Sequence, residues 1–144
     1  MCLIKELVKD RDVYFVHADK SVMEVARYMV ERNIGAVPVV RDGELVGIFS
    51  ERDIMKRVLV GGVDPRQTMV SEVMTANPYT VQLDTDLDDC LRLMREHNFR
   101  HLPICDGKKL LGLVSLRDVL HQEMVEKDGE VHMMRAYITG GSEA

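Results

Sequence analysis

Cysteine is scarce in this sequence, and no hydrophobic run is long enough to cross a membrane. The three cysteines, Cys2, Cys90 and Cys105, are odd in number and far apart, which is typical neither of a disulfide framework nor of a zinc site. We therefore expect a reducing compartment, the cytoplasm. Because no segment approaches the roughly 20 apolar residues of a membrane helix, and charges interrupt residues 1–10, we expect neither a membrane segment nor a signal peptide.

The sequence also has fewer basic than acidic residues. Lys and Arg number 19 against 24 Asp and Glu, which gives a net charge of −5 at pH 7. Proteins that bind duplex nucleic acid usually carry a basic excess, so a nucleic acid is not the expected partner. With 46% hydrophobic and 30% charged residues, the composition is typical of a globular chain that folds without metals or disulfides.

Motifs of the common catalytic and nucleotide-binding sites are missing as well. Neither a Gly-x-Gly-x-x-Gly segment nor a Walker-type loop occurs, which argues against the Rossmann and P-loop modes of nucleotide binding. No nucleophile, base and orienting group form a recognisable set, so we predict that the protein is not an enzyme. His97 and His101 are four residues apart but fall on either side of a predicted helix–strand junction, so we expect no metal site.

What the sequence does contain is an internal repeat. Pro38 recurs as Pro103 and Asp53 recurs as Asp118, so the members of both pairs are 65 residues apart. The same offset, without a gap, relates nine further residues to identical residues in the second half: Tyr14, Val16, Arg27, Met29, Glu31, Asn33, Gly47, Ser50 and Arg52. A constant offset over so many positions indicates that one structural unit is present twice.

Both copies predict strand, helix, strand, strand and helix in that order, preceded by a short helical turn. Hydrophobic periodicity predicts helices over residues 22–30 and 87–94, capped by Asp19 or Ser21 and by Asp84 or Asp86. The predicted strands are residues 13–16, 36–40 and 45–49, and in the second copy 78–81, 101–105 and 110–114. The leading turns are residues 4–8 and 69–74, and the last helices are residues 51–60 and 116–124.

The predicted fold class is α/β, with two pseudo-symmetric β-α-β-β-α repeats packed through their sheets. A three-stranded sheet with helices on one side leaves an apolar face uncovered, and a second copy covers it. We assign the repeats to residues 4–62 and 69–124. Residues 125–144 form an extension that we expect to be helical, weak at Gly129 and frayed from residue 140. Its apolar stripe, over residues 124–138, predicts contact with a second chain or with the module itself.

The densest match between the copies relates residues 47–53 to residues 112–118. It places a hydroxyl, a guanidinium and a carboxylate at the start of each last helix: Ser50, Arg52 and Asp53, and Ser115, Arg117 and Asp118. Free N–H groups at a helix start attract a phosphate, to which the serine can donate and the arginine adds a charge-assisted contact. Since a short carboxylate suits two ribose hydroxyls, we interpret the set as a ribose-phosphate clamp. The alternative is a capping box, in which the serine and the acid three residues later accept hydrogen bonds from each other's backbone N–H groups at the helix start.

These segments resemble those of cystathionine-β-synthase-type (CBS) domains, whose tandem pairs are called Bateman modules. The resemblance covers residues 4–124 and is carried by residues 35–40 with 47–53 and by residues 100–104 with 112–118. It implies a cleft between the repeats with two pseudo-symmetric sites for AMP, ADP or ATP, bound as a regulatory ligand and not as a catalytic cofactor. Because both copies keep their serine and aspartate, it implies that both sites are competent.

The resemblance also implies which residues surround the adenine. They are Val16, Ala36, Val37 and Pro38 in the first copy, and Val81, His101, Leu102 and Pro103 in the second copy. Basic residues just before the second strand reach phosphates in nucleotide-sensing members of the family, and Arg100 and His101 stand there in the second copy. They would make the two sites unequal in phosphate preference. Alternatively, Arg100 is a solvated cation at a helix end and His101 a partly buried strand residue.

Bateman modules generally pair into a flat disc of four repeats, so the resemblance implies a homodimer that regulates an unidentified protein in trans. Two alternatives stay open. The same clefts would accept NAD(H) or S-adenosylmethionine, which share the ribose but need different pockets beyond it. The chain would otherwise be a structural dimerisation module with vestigial sites, against which the two intact aspartates argue.

Overall fold

The computed structural model describes the backbone from residue 2 to residue 139 and the side chains from residue 2 to residue 127. Its elements are α1 (Ile4–Val8), β1 (Val16–His17), α2 (Val22–Arg32), β2 (Ala36–Arg41), β3 (Glu44–Ser50), α3 (Glu51–Asp53, continued by a π-helical turn, Ile54–Leu59), α4 (Val70–Val73), β4 (Thr75–Ala76), α5 (Leu87–His97), β5 (His101–Asp106), β6 (Lys109–Ser115) and α6 (Leu116–Thr139). The predicted α/β class is confirmed. The predicted frayed end lies outside the described residues, as do most side chains of the C-terminal stripe.

Two antiparallel hairpins, β2–β3 and β5–β6, form the centre of the fold. They join into one sheet, in the order β1-β2-β3-β6-β5, through the pairing of Glu44 with Lys109 beside the hairpin turns. Strand β4 pairs antiparallel with β3 at Gly47 and Ile48. The two repeats therefore share a sheet, and the start of the second repeat is hydrogen-bonded to the first.

Helices α2 and α5 begin at equivalent caps. The Ser21 side chain accepts a hydrogen bond from the backbone N–H of Glu24 at 3.1 Å, and the Asp86 side chain accepts one from Asp88 at 2.9 Å. Such contacts satisfy backbone donors that the first turn of a helix leaves without partners. Of the alternative caps that the sequence offers, Ser21 and Asp86 are the ones used.

Each repeat has its own hydrophobic core, built from equivalent positions. In the first core the buried residues include Val22, Val25, Met29, Val37, Val39 and Phe49. The residues 65 positions later, Leu87, Cys90, Met94, Leu102, Ile104 and Val114, are buried in the second core. The apolar face predicted for each helix is therefore the face that packs on the sheet, except that Val30, which the periodicity places on this face of α2, is exposed.

The short helix at the start of each repeat packs on the other repeat. Ile4 of α1 is fully buried in the second core, and its N–H donates to the carbonyl of Thr85 at 2.9 Å. Val70 of α4 is fully buried in the first core, and its N–H donates to the carbonyl of Lys20 at 2.8 Å. This exchange of helices adds contacts between the two repeats. The segment that follows each helix therefore crosses the boundary between the repeats on its way back to its own sheet.

The segments predicted as first strands are mostly outside the sheet. Strand β1 begins only at Val16, and in the second repeat Val81 makes an isolated parallel bridge to Ile104. Residues 13–15 and Tyr79 are exposed instead, which leaves the segments before each bridge free to contact a ligand. At the other end, α6 runs uninterrupted through Gly129 to Thr139. Within the part of the chain that is described, no helix has both the length and the hydropathy needed to cross a bilayer.

Candidate ligand-binding clefts

Two clefts lie between the repeats, one beside each Ser-x-x-Asp turn. The first cleft has a volume of about 460 Å³, contains Ser50 and Asp53, and is closed by residues 75–79 and 98–102 of the second repeat. The second cleft has a volume of about 330 Å³, contains Ser115 and Asp118, and is closed by residues 11–14 and 33–36. Because the closing segments are also related by the offset of 65 residues, the clefts follow the pseudo-symmetry of the repeats.

The carboxylate of Asp53 is buried and held at both oxygens. Its Oδ2 accepts hydrogen bonds from the backbone N–H and the hydroxyl of Ser50, at 3.0 and 3.2 Å, and the Asp53 N–H donates to the Ser50 Oγ at 3.4 Å. Its Oδ1 accepts a hydrogen bond from the Thr75 hydroxyl at 3.3 Å, and the Arg57 Nε lies 3.7 Å away. The capping box is therefore present, yet one carboxylate oxygen still faces the second repeat.

Asp118 is tied to its helix start in the same way and to Arg11 in addition. The Ser115 N–H donates to Asp118 Oδ2 at 3.1 Å, and the Asp118 N–H donates to the Ser115 Oγ at 3.0 Å. The Arg11 guanidinium donates to both carboxylate oxygens, at 3.0 and 3.1 Å. Burial raises the pKa of Asp118, but the hydrogen bonds from Arg11 and Ser115 outweigh it, so the pKa lies below its usual value and the group is ionised at neutral pH.

Basic side chains are distributed unequally between the clefts. Arg52 and Arg100 both line the first cleft. Arg117, the counterpart of Arg52, lines an adjoining surface pocket with His121, and not the second cleft. The first cleft therefore has two guanidinium groups available to an anionic ligand. Among residues 2–127, no group of His, Cys, Asp and Glu side chains is arranged to hold a metal ion.

Aromatic rings form one wall of the first cleft. Tyr79 and Phe99 line it, with their ring centroids 5.5 Å apart. The His97 ring stacks against both, at 4.4 Å from Tyr79 and 5.4 Å from Phe99. Such rings offer flat faces on which a nucleobase can stack. In the second cleft Ile34 occupies the position of Phe99, whereas Tyr14 occupies that of Tyr79, so one of the two rings is replaced by an aliphatic side chain.

His101 lies where the two clefts meet and lines both of them. Burial lowers the pKa of its imidazole, and Arg100 lowers it further, against the opposite effect of the Asp118 and Glu51 carboxylates. The net pKa lies below the usual value, so the ring is neutral at pH 7. A neutral imidazole offers one hydrogen-bond donor and one acceptor to a ligand, and no positive charge.

The residues expected around the adenine divide into two groups. Three of them line a cleft: Ala36, His101 and Leu102. Five are buried and line neither cleft: Val16, Val37, Pro38, Val81 and Pro103. The reason is that the clefts reach only the first residues of β2 and β5, and side chains farther along these strands pack into the cores or within the sheet.

Several lining residues are not evident from the sequence motifs. Asn33 and Asn98 end helices α2 and α5 in the left-handed conformation, with φ of 53° and 57°, and line the second and first clefts. The sequence does signal these two residues, because asparagine occurs at the same position of both copies. Arg11 and Thr75 gave no such signal, because neither residue recurs at the matching position of the other copy.

The repeated unit and its two clefts define a tandem α/β module with paired ligand sites. The family model for the CBS domain matches residues 4–60 and, a second time, residues 70–124. The chain therefore belongs to the CBS-domain family, and it contains two such domains. The resemblance seen in the sequence is confirmed.

Curated relatives agree with this assignment. CBSX3, a mitochondrial CBS domain-containing protein of Arabidopsis thaliana, is 34% identical over 128 residues, which cover 85% of this chain and 62% of that protein. The CBS domain-containing protein YhcV of Bacillus subtilis (strain 168) is 38% identical over 109 residues, which cover 76% of this chain and 77% of YhcV. The chain thus spans less than two thirds of the first relative and most of the second.

Solved structures share most of this fold. The CBS-domain-containing protein ATU1752 of Agrobacterium tumefaciens superposes with a TM-score of 0.77 at 36% identity, over 85% of this chain and 99% of that one. CBSX2 in complex with AMP gives 0.78 at 25% identity, over 88% and 99% of the two chains. The CBS domain pair of MJ0100 in complex with 5′-methylthioadenosine and S-adenosyl-L-methionine gives 0.78 at 26% identity, over 88% and 98%.

Proposed function

We propose that this CBS pair is a regulatory module that binds an adenosine nucleotide, AMP, ADP or ATP, between its repeats and controls a partner protein in trans without catalysing a reaction. The observation that carries the proposal is the position of the two Ser-x-x-Asp turns, each on a cleft whose opposite wall comes from the other repeat. CBS pairs of the same fold bind AMP in one case and 5′-methylthioadenosine and S-adenosylmethionine in another, which supports an adenosine-type ligand.

The carboxylate of Asp53 is suited to accept a ribose. Its Oδ1 now accepts a neutral hydrogen bond from the Thr75 hydroxyl at 3.3 Å. A ribose hydroxyl can replace that donor without leaving the buried carboxylate unpaired, so the exchange has little net cost. Its Oδ2 remains bonded to the backbone N–H of Ser50, so the helix start keeps its cap while the ligand binds.

The first cleft also supplies groups for the phosphates and the base. Arg52 and Arg100 line it, and one guanidinium group can donate two parallel hydrogen bonds to two oxygens of a phosphate. The aromatic wall of Tyr79 and Phe99 offers a stacking surface for adenine. Because Glu51 and Asp53 line the same cleft, the net charge of its lining selects neither an anion nor a cation. The two guanidinium groups favour a phosphorylated ligand over S-adenosylmethionine because S-adenosylmethionine has no phosphate for them to bind. NAD(H) remains the alternative ligand, because it also carries a ribose and phosphates.

Control of a partner follows from the two-repeat construction of each cleft. A ligand that contacts both walls stabilises the arrangement of repeats in which those walls lie close together. A partner that prefers this arrangement then binds more tightly when the ligand is present, and the coupling acts equally in both directions. A structural module with vestigial sites would show no ligand binding at all.

Isothermal titration of the purified chain with AMP, ATP, NADH and S-adenosylmethionine tests the proposal. We expect AMP or ATP to bind at two sites, and Asp53→Asn and Asp118→Asn each to remove one of them. The isosteric amide keeps part of the cap, and Asp89→Asn, on the surface of α5 and away from the clefts, is the matched control. Nucleotide binding that is absent, or unchanged in both cleft variants, would refute the proposal.

We further propose a homodimer that uses helices of both repeats. Apolar side chains are exposed at equivalent positions of α6 and of α3 with the residue that follows its π-helical turn: Met55 and Leu120, Leu59 and Met124, and Val60 and Val125. Leu59 is 72% exposed and Met124 is 63% exposed. Two such rows on one molecule exceed the scattered apolar residues that a monomer normally exposes, and a two-fold interface would bury both rows at once.

Light scattering tests the dimer. The wild-type chain is expected at twice its own mass, and Leu59→Lys is expected to shift it towards the monomer because a buried, unpaired charge opposes association. Val30→Lys is the control, since Val30 is 79% exposed on α2 and does not belong to the two rows. A wild-type mass equal to that of one chain would contradict the dimer.

A further inference from the structure

The two clefts differ most at the carboxylate that is to hold the ribose. Asp118 in the second cleft is bound at both oxygens by a guanidinium, whereas Asp53 in the first cleft accepts at Oδ1 from a neutral hydroxyl. We propose that Arg11 is a specificity-determining residue that occupies the ribose position of the second cleft, so that the first cleft binds ligand more tightly and fills first. The inference rests on the proposed function, and it assigns different roles to the two sites.

The contact of Arg11 with Asp118 has the geometry of a paired fork. The two terminal nitrogens donate to Oδ2 at 3.0 Å and to Oδ1 at 3.1 Å. A carboxylate has about four acceptor sites, and the fork of Arg11 and the Ser115 N–H already use three of those of Asp118, so two ribose hydroxyls cannot both be accepted while the fork is intact. Ligand binding in the second cleft therefore requires that an ion pair be broken, and hydroxyl donors recover only part of its strength.

The backbone holds Arg11 in this position. Helix α1 is anchored in the second repeat by the buried Ile4, and the Arg11 N–H donates to the carbonyl of Val8 at 3.2 Å. Asp10, between them, has a φ of 64°, the left-handed conformation that turns the chain back after the helix. The guanidinium is thus supplied by the segment that returns from α1, on the second repeat, to β1 of the first repeat.

The Asp53 carboxylate in the first cleft accepts no hydrogen bond from a guanidinium, and its one ion pair is longer. The residue 65 positions after Arg11 is Ala76, which lies in β4 and has no donor group on its side chain. The cation closest to the Asp53 carboxylate is Arg57, whose Nε is 3.7 Å from Oδ1, beyond hydrogen-bond distance. In the first cleft, ligand binding therefore exchanges one hydroxyl donor for another.

Arg117, the counterpart of Arg52 in the second repeat, does not line the second cleft. Arg117 lines a surface pocket of about 380 Å³ that shares Arg11 and Asp118 with the second cleft. Arg11 and Asp118 thus line both this pocket and the second cleft, whereas Arg52 lines the first cleft directly. The second cleft therefore lacks the guanidinium that Arg52 gives to the first.

The test isolates the second cleft and uses a ligand without phosphates. In an Asp53→Asn background, we compare the dissociation constant of adenosine with and without Arg11→Gln. The expected result is a roughly two- to fivefold lower dissociation constant when Arg11 is replaced, the range for a solvent-exposed ion pair. Arg11→Lys, which keeps the charge but not the fork, should give a smaller decrease.

A matched control and a salt series complete the experiment. Arg92→Gln removes an arginine whose own carboxylate contact, with Asp89 at 2.8 Å, is remote from both clefts, and should leave adenosine binding unchanged. With Arg11 present, added salt should tighten adenosine binding, because screening weakens the ion pair, and Arg11→Gln should abolish this effect.

The outcomes separate this inference from the proposed function. An unchanged or higher dissociation constant in Arg11→Gln, with adenosine binding that Asp118→Asn still abolishes, overturns the role of Arg11 and leaves the clefts as ligand sites. If neither Asp53→Asn nor Asp118→Asn changes nucleotide binding in the otherwise wild-type chain, the proposed function fails, and this inference fails with it.

Discussion

Ala36 and His101 occupy the same position in the two repeats, and each of them lines both clefts. The two strands that begin with these residues therefore meet at the pseudo-two-fold axis of the molecule. The first repeat thus contributes the methyl group of Ala36 to the lining of both clefts, and the second repeat contributes the imidazole of His101. A change at His101 is consequently expected to affect both clefts, whereas a change at Asp53 or Asp118 affects one.

Replacing His101 should reduce the pH dependence of stability. Because burial holds the pKa of this histidine below its usual value, the unfolded chain binds more protons than the folded chain as the pH falls below about 7. The free energy of unfolding of the wild type should therefore decrease between pH 7.5 and pH 5.5, and that of His101→Gln should decrease less. Urea unfolding at several pH values measures both, with exposed His17→Gln as the control for loss of a histidine. Equal slopes for wild type and His101→Gln would contradict the prediction.

An alanine at Gly47 should damage the first cleft, whereas one at Gly112 should not. A Cβ at Gly47 would lie 2.9 Å from the carbonyl oxygen of Thr75 and would also meet the Met74 side chain, so β4 has to move. Since Thr75 donates to Asp53, we expect Gly47→Ala to lower the free energy of unfolding by about 1–3 kcal/mol and to weaken binding in that cleft.

Gly112 is the matched control, because it occupies the equivalent position in β6. A Cβ there would have the Ile104 Cδ1 as its nearest neighbour, at 3.6 Å, an ordinary contact. Chemical denaturation and nucleotide titration of the two variants make the comparison. Equal effects of Gly47→Ala and Gly112→Ala would show that the pairing of β4 with β3 is not the reason why a side chain at residue 47 is destabilising.

The exchanged helix α1 should contribute as much to stability as an ordinary core element. Ile4 is fully buried in the core of the second repeat, so Ile4→Ala is expected to lower the free energy of unfolding by about 2–5 kcal/mol. Val30→Ala, at a position that is 79% exposed, should change it by less than about 0.5 kcal/mol. A loss below about 1 kcal/mol for Ile4→Ala, measured by guanidinium unfolding, would mean that α1 is only loosely attached.

The cysteines should resist thiol reagents in the folded protein. Burial raises the pKa of Cys90 to about 11, and burial together with the Glu6 carboxylate raises that of Cys2 to about 12. Since the thiolate is the reactive form, only about one Cys90 in a thousand is ionised at pH 8. With 5,5′-dithiobis(2-nitrobenzoate), we expect slow reaction of the native chain and rapid reaction of all three thiols in denaturant. Rapid labelling of the native chain would contradict this.

Much of this architecture is evident from the sequence. The repeat from Tyr14 to Asp53, with its copy 65 residues later, predicts a tandem α/β unit, and periodicity predicts the faces of α2 and α5 that are buried. These features depend on contacts between residues close together in the chain, where spacing and residue type determine the structure. For the same reason, the capping contacts of Ser50 with Asp53 are visible as a motif.

The surroundings of each carboxylate were decided by the tertiary structure alone. Arg11 meets Asp118 across 107 positions of sequence, and Thr75 meets Asp53 only because α4 and β4 pack on the first repeat. Neither contact follows from a local pattern, since exchange of the leading helices brings distant segments together. The sequence by itself determined two equivalent turns, each with a serine and an aspartate. Packing then placed a guanidinium on one aspartate and a hydroxyl on the other, because side-chain partners across a cleft depend on how whole elements dock.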